Sequence, residues 1–388
     1  MAKYKIKDIA RTGSGGTPKS TIKEYYDKGT IPWINSGELS QPFITETSNF
    51  ITELGFKNSS TKIFPKDDTV LVAMYGATAG KASLLQIDAC TNQAICAIIP
   101  DKKIVEPLFL KYKLDTMYQY LVGLSTGSAR DNLSQIGIGN IEIDIPDLSE
   151  QHRIVSVLSA LDKKIALNRS INANLEALAR QLYDYWFVQF DFPDASGKPY
   201  KSSGGKMVYN EHLKREIPEG WDYLPTDQIT KVITGKEDAN FSTPDGKYPF
   251  FTCSRDNLRC DTPAFSGKAI LIAGNGEFNV KHYTGQFNAY QRTYVLIPED
   301  EKYYGVLYFA AHSKIDLFKA QSNGSIIKFI TKGDVENIGV FDCHKPELYQ
   351  QINTLINTIE QNEREIASLT RQRDELLPLL MNGQVTIE

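Results

Sequence analysis

The chain is 388 residues long and carries 43 Lys+Arg against 47 Asp+Glu, a net charge of −4, with 41% hydrophobic and 11% aromatic residues. This length excludes one small domain and predicts two or three, each able to bury its own core, while the balanced composition excludes wholesale disorder. The slight acidity argues against a strongly basic nucleic-acid-binding surface, and the longest charge-free stretch, the 14 residues from Thr116 to Ala129, is too short and too polar to span a membrane.

At the start, Lys3, Lys5, Lys7 and Asp8 are followed by no apolar segment of a secretory signal, so a cytosolic location is expected. Gly13-Ser14-Gly15-Gly16 lacks the preceding strand and the spacing of a dinucleotide fingerprint. Val70 to Met74 and Ala94 to Ile99 are short apolar runs bounded by turn residues and predict buried strands. Between them, Gly76-Ala77-Thr78-Ala79-Gly80-Lys81-Ala82 falls short of a phosphate-binding P-loop: three residues separate the glycines instead of four, and Ala82 replaces the magnesium-holding hydroxyl. It reads as a tight turn with Lys81 open to an anion. Glu106 to Leu121 carries a helical pattern.

From Ser149 to Trp186 the residues Ile154, Leu158, Leu161, Ile165, Leu175, Leu182 and Trp186 keep heptad spacing, with Asn168, Asn172 and Ala179 in the remaining seam positions. Phe190 to Trp221 follows, and its Ser196-Gly197-Lys198-Pro199 and Ser202 to Lys206 have the turn chemistry of a connection. Ala269 to Ala273 and Thr293 to Ile297 predict strands, and Tyr303 to Phe318 a helix. The second long pattern begins at Leu348 and runs through Ile352, Leu355, Ile359, Ile366, Leu369, Leu376 and Leu380, with Asn362 and Arg373 in the seam. A helix of some 37 residues is a rod of about 55 Å, and its narrow apolar seam calls for another helix.

The two halves repeat each other. Leu71 to Gly76 with Lys81 recurs as Leu271 to Gly276 with Lys281, an offset of 200; Asn92-Gln93-Ala94 is echoed by Tyr290-Gln291-Arg292 at 198, and Gly127-Ser128 by Gly324-Ser325 at 197. Ordered matches with a drifting offset predict a tandem duplication. At an offset of 194, Asn168 falls on Asn362.

Catalytic chemistry is not visible. No metalloprotease, hydrolase, amino-methyltransferase or nuclease motif occurs, and five cysteines without a Cys-x-x-Cys pair fit neither a disulfide framework nor a zinc knuckle. What recurs instead is polar loops whose hydroxyls, amides and cations suit phosphates and base edges. The candidate DNA-binding residues are Thr17, Lys19, Asn35, Ser36, Tyr75, Thr78, Lys81, Thr126, Ser128 and Arg130 in the first half. Those in the second are Lys236, Ser254, Arg255, Asn275, Lys281, Gln291, Arg292, Asn323, Ser325 and Lys328. Trp33, Trp186 and Trp221 read as packing anchors. No catalytic or metal-binding residue is assigned. An interaction scaffold without a DNA role and a stand-alone DNA-modifying enzyme remain the alternatives; salt-sensitive duplex binding separates the first and turnover by the purified chain the second.

Several segments in order carry a likeness: the long helix from Ser149-Glu150-Gln151, Leu182 to Phe190, the junction Gly197 to Lys206, Arg215 to Trp221, and the ending Leu376 to Gly383. Together they resemble the DNA specificity subunit of type I restriction-modification enzymes, over essentially the whole chain. The resemblance implies an α+β protein with two tandem α/β target recognition domains, each followed by a long helix. The two helices would pair as an antiparallel coiled coil with pseudo-twofold symmetry. The segments would be 1-145 and 221-344 for the recognition domains, 146-190 and 345-388 for the helical spacers, and 191-220 for a linker. It further implies double-stranded DNA, two methyltransferase (modification) subunits and restriction (translocase and nuclease) subunits as partners. S-adenosylmethionine, ATP and magnesium would belong to those partners, with no cofactor bound here. Each recognition domain would read one half of a bipartite, asymmetric site, with the helices setting the spacer. The second half lacks the Thr-Pro-Lys and Pro-Trp-Ile-Asn-Ser-Gly strings of the first, so the half-sites are expected to differ.

Overall fold

The computed structural model describes residues 1–126, 133–321 and 329–387. The chain forms two compact units, each discontinuous or bounded within a helix: Met1–Ile165 with Ser368–Glu388, and Ala166–Ala367.

In the first unit a five-stranded sheet has the order Ala10–Ser14, Ile95–Pro100, Val70–Ala73, Ala82–Leu85, Phe43–Ile44. A four-stranded sheet follows the order Phe50–Ile51, Ile31–Ile34, Ala89–Thr91, Ile63–Phe64, and Ala2–Lys5 pairs antiparallel with Glu142–Ile145. The central strand is buried on both faces, which is why it reads as an unbroken apolar run. Val70 and Val72 join the core around Ile98, Phe109, Leu158 and Met381, whereas Leu71 and Ala73 face Ile34, Leu85 and Ala97.

The second unit repeats this plan. Ile270 and Ile272 point to one core and Ala269 and Leu271 to another. Asp222–Pro225 pairs with Gly339–Asp342 as the first strand does with Glu142–Ile145. A parallel pairing recurs as well: Trp33 and Ile34 with Cys90 and Thr91 in one unit, Phe250 and Phe251 with Asn288 and Ala289 in the other. Where the first unit uses two strands, Ala82–Leu85 and Ala89–Thr91, the second runs them together as Val280–Ala289 in a six-stranded sheet.

The helix expected over Glu106 to Leu121 is two helices, Pro107–Thr116 and Tyr118–Thr126. The Thr116 hydroxyl donates to the Lys113 carbonyl (2.7 Å), and the Met117 amide turns back to the Leu114 carbonyl, ending the first helix. Its counterpart, Tyr304–Gln321, is continuous.

Both heptad patterns form the expected helices, Leu148–Tyr183 and Pro346–Met381, 36 residues each and therefore about 54 Å long. Asp147 caps the first through the Glu150 amide (3.0 Å). The fully buried Gln151 fixes it to its domain, accepting from the Glu106 amide and donating to the Ile104 and Pro146 carbonyls. In the second unit the helices pair antiparallel through polar seam residues: Asn168 donates to Glu365 (2.9 Å) and Asn362 to Asn172 (2.8 Å). In the first unit, Arg373 pairs with Asp162 (3.0 Å), whose other carboxylate oxygen accepts from Tyr112 (2.6 Å).

The connection 191–220 is folded. Its Ser and Gly turns are exposed, but Phe192 and Ile217 are buried. Phe192 stacks on Trp221 at 4.6 Å, and Met207–Asn210 forms a hairpin with Arg215–Pro218. Trp186 and Trp221 are buried, and the Trp33 indole donates to the Gly16 carbonyl (3.0 Å), so all three act as anchors. Among the described residues no helix is long and apolar enough to cross a membrane.

Candidate nucleic-acid interface

Hydrogen bonds tie four loops of the first unit into one cluster. The Gly16 amide donates to the Thr91 carbonyl (2.9 Å), and the Thr17 hydroxyl to the Gln93 side chain (2.5 Å). The Asn92 amide donates to the Ile34 carbonyl (2.9 Å), the Met74 amide to the Ala94 carbonyl (2.8 Å), and the Thr78 hydroxyl to the Ser36 carbonyl (2.7 Å). Loops 14–19, 34–37, 74–81 and 91–94 therefore converge at one end of the sheets, although they are up to 80 residues apart in sequence.

Within the cluster the candidate side chains divide by what they do. Asn35 forms a capping box with Glu38 and shapes its own turn. Thr78 is spent on holding two loops together. Lys19 and Tyr75 are exposed, Ser36 is half-buried, and the Lys81 ammonium sits 5.0 Å over the Tyr118 ring. The P-loop-like segment closes a hairpin. Gly76 and Gly80 are both left-handed (φ 82° and 81°), and the Ala79, Gly80 and Lys81 amides donate to carbonyls of the turn, so these amides are not aimed at a phosphate. Thr126 is the last residue of its helix. Ser128, Arg130, Asn323, Ser325 and Lys328 lie outside the described residues.

The second unit builds a matching cluster. The Gly274 amide donates to the Arg292 carbonyl (2.9 Å) as Met74 does to Ala94, and the Tyr290 amide to Phe251 (2.9 Å) as Asn92 does to Ile34. The Gln291 amide donates to the Glu237 carbonyl (2.8 Å), and the Asn279 side chain to the Cys253 carbonyl (2.9 Å). Loops 235–238, 252–257, 274–279 and 290–292 are thereby joined. Lys236, Gln291 and Arg292 are exposed, and Asn275 is half-buried. Ser254 is exposed, and its hydroxyl donates to the Asp256 carbonyl of its own turn (2.9 Å). Arg255 pairs with Glu277 (3.1 Å) at the surface. Lys281 is held by the Ser254 carbonyl (2.8 Å) and Asn257 Oδ1 (2.7 Å), and burial pushes its pKa below the ordinary lysine value. Its charge therefore serves first to fix the 252–257 loop.

Gln93 was not among the sequence candidates although Gln291 was; the offset of 198 that links their tripeptides was the available signal. Among the described residues no cluster of three or more His, Cys, Asp or Glu is arranged to hold a metal ion. What the two clusters offer is a rim of neutral hydrogen-bonding groups with a few cations.

The family model described as type I restriction modification DNA specificity domain matches residues 1–177 and 218–371. A type I restriction enzyme specificity subunit of Methanocaldococcus jannaschii, MjaIX, is 29% identical, with 99% of this chain and 93% of that protein covered. The EcoDI specificity subunit of Escherichia coli is 37% identical over 180 residues, covering 45% of this chain and 40% of its own. The crystal structure of a type I restriction-modification S subunit from M. genitalium superposes with a TM-score of 0.62 at 20% identity, covering 98% of this chain and 95% of that one.

Proposed function

We propose that this chain, which belongs to the type I restriction-modification DNA specificity family, reads a split DNA site with its two loop clusters, one half-site each. Specificity subunits of this family are not enzymes; methylation and cleavage belong to the methyltransferase and restriction subunits. The observation that carries the reading is the repeated cluster of four hydrogen-bonded loops, built on one backbone plan with different side chains at its rim. A shared frame with diverged rims suits two unlike half-sites.

In this reading residues 1–145 and 221–344 recognise double-stranded DNA. The helical segments 146–190 and 345–388 dock two methyltransferase subunits and set the gap between the half-sites through their length of about 54 Å, one to two turns of DNA. Restriction subunits join that complex in the cytoplasm. S-adenosylmethionine, ATP and magnesium are held by the partners.

The test is to exchange residues 1–145 for those of a relative, assemble the complex with its methyltransferase subunits, and sequence the methylated sites. One half of the motif should change while the other half and the gap persist. A change in both halves, or in neither, overturns independent reading.

A further inference from the structure

Gln93 and Gln291 occupy the same place in the two loop clusters. Each lies just beyond the strand that pairs parallel with its neighbour, Ala89–Thr91 in one unit and the end of Val280–Ala289 in the other. In each, the preceding residue donates its amide to the end of the parallel neighbour, and the following residue accepts from the hairpin strand through its carbonyl. Both side chains are exposed. Their neighbours have diverged, Asn92 against Tyr290 and Ala94 against Arg292, while the glutamine is the same.

We propose that Gln93 and Gln291 form a matched pair, each donating to and accepting from the base edge of an adenine, one in each half of the site. The proposal rests on the DNA-reading function above. A carboxamide presents a donor and an acceptor side by side, which matches the N7 acceptor and N6 donor of adenine in the major groove. It carries no charge with which to neutralise a phosphate. The Thr17 hydroxyl donates to Gln93 Oε1 (2.5 Å), fixing the amide plane and leaving one lone pair of that oxygen for a base. Gln291 is held through its backbone by the Glu237 carbonyl. Side chains that are equal where their immediate neighbours differ meet a feature the two half-sites share.

The experiment uses the complete complex with its methyltransferase subunits. Its binding to duplexes substituted one base pair at a time is measured, and the methylated sites are sequenced. Gln93→Ala should weaken binding to the cognate site about tenfold and relax the requirement for adenine at one position of one half-site. Gln291→Ala should do the same in the other half. Gln93→Glu, which keeps the size but only accepts, should shift that position toward cytosine, whose N4 group donates. Uniform weakening across all sequences, unchanged binding, or relaxation of the same half by both variants overturns the pair. A wild-type complex without any preferred sequence overturns the functional reading itself, and the pair with it. Melting temperatures within a few degrees of wild type separate a lost contact from a lost fold.

Discussion

Gly15 and Gly235 show how much of the two loop clusters depends on single atoms. A Cβ at Gly15 would overlap the Thr91 carbonyl, and one at Gly235 the Ala289 carbonyl, so in both units the loop lies directly on backbone. Gly235→Ala is therefore expected to cost about 1 to 3 kcal/mol of stability as an overpacking change, measured by denaturant unfolding, and to displace the 235–238 loop. A second residue-scale prediction concerns Glu360. Burial works to raise its pKa, but hydrogen bonds from His282 and Tyr304 outweigh burial and hold it below its ordinary value of 4.5. A carboxylate depressed by folding contributes stability above its unfolded pKa and loses it as pH falls through the folded one. Wild type should thus exceed Glu360→Gln in stability above about pH 4.5, and the difference should shrink on further acidification; a difference flat from there down to about pH 2 contradicts the linkage. None of this was legible in the sequence. Gly15 reads only as part of a glycine-rich turn, because the carbonyl it rests on is 76 residues away, and Glu360 reads as one more surface acid of a helix.

At the scale of elements, heptad spacing located both long helices within a few residues and put Asn168, Asn172, Asn362 and Arg373 in their seams, where the structure has them. Spacing says which face is buried because side-chain direction repeats with the helix. It does not say what each seam residue meets, because that depends on the direction and stagger of the partner. Hence the pairing of Asn362 with Asn172, of Asn168 with Glu365 and of Arg373 with Asp162 is visible only in three dimensions. The polar loops show the same limit: their chemistry is legible, but their convergence rests on strand order, which no local pattern encodes. The break at Met117 was missed because an apolar period continues across it. In the seam the Asn362 amide donates to Asn172 Oδ1 and the Asn172 amide to the Ile359 carbonyl, which specifies register at some expense of stability. Asn172→Leu leaves Asn362 without that partner and should destabilise by about 1 kcal/mol. Adding Asn362→Leu should recover the loss or exceed it, as seen by thermal unfolding. Equal losses from the single and double changes would mean that the pair does not set the register.

For the molecule as a whole, the net charge of −4 is unevenly spread. Residues 1–145 carry 16 basic and 15 acidic side chains, 146–220 carry 10 of each, 221–344 carry 13 against 15, and 345–388 carry 4 against 7. The acidity thus collects in the segment that includes the C-terminal helix, and the two proposed reading segments are close to neutral. Several of their cations are also engaged internally: Lys281 by a carbonyl and an amide oxygen, and Arg255 by Glu277. Nonspecific affinity for DNA scales with the number of phosphates neutralised, and so does its salt dependence. Segments with almost no excess of cations over anions, and with some of those cations held internally, offer little electrostatic grip on DNA. The isolated chain is therefore expected to bind its own site more weakly than the assembled complex does, and its log K should fall less steeply with log salt. Titrating one labelled duplex with the chain alone and with the complex, at several salt concentrations, measures both quantities. Equal affinity and equal slope would mean that the phosphate contacts come from this chain after all. The 127–132 and 322–328 segments, with Arg130 and Lys328, would then be the first place to look for them.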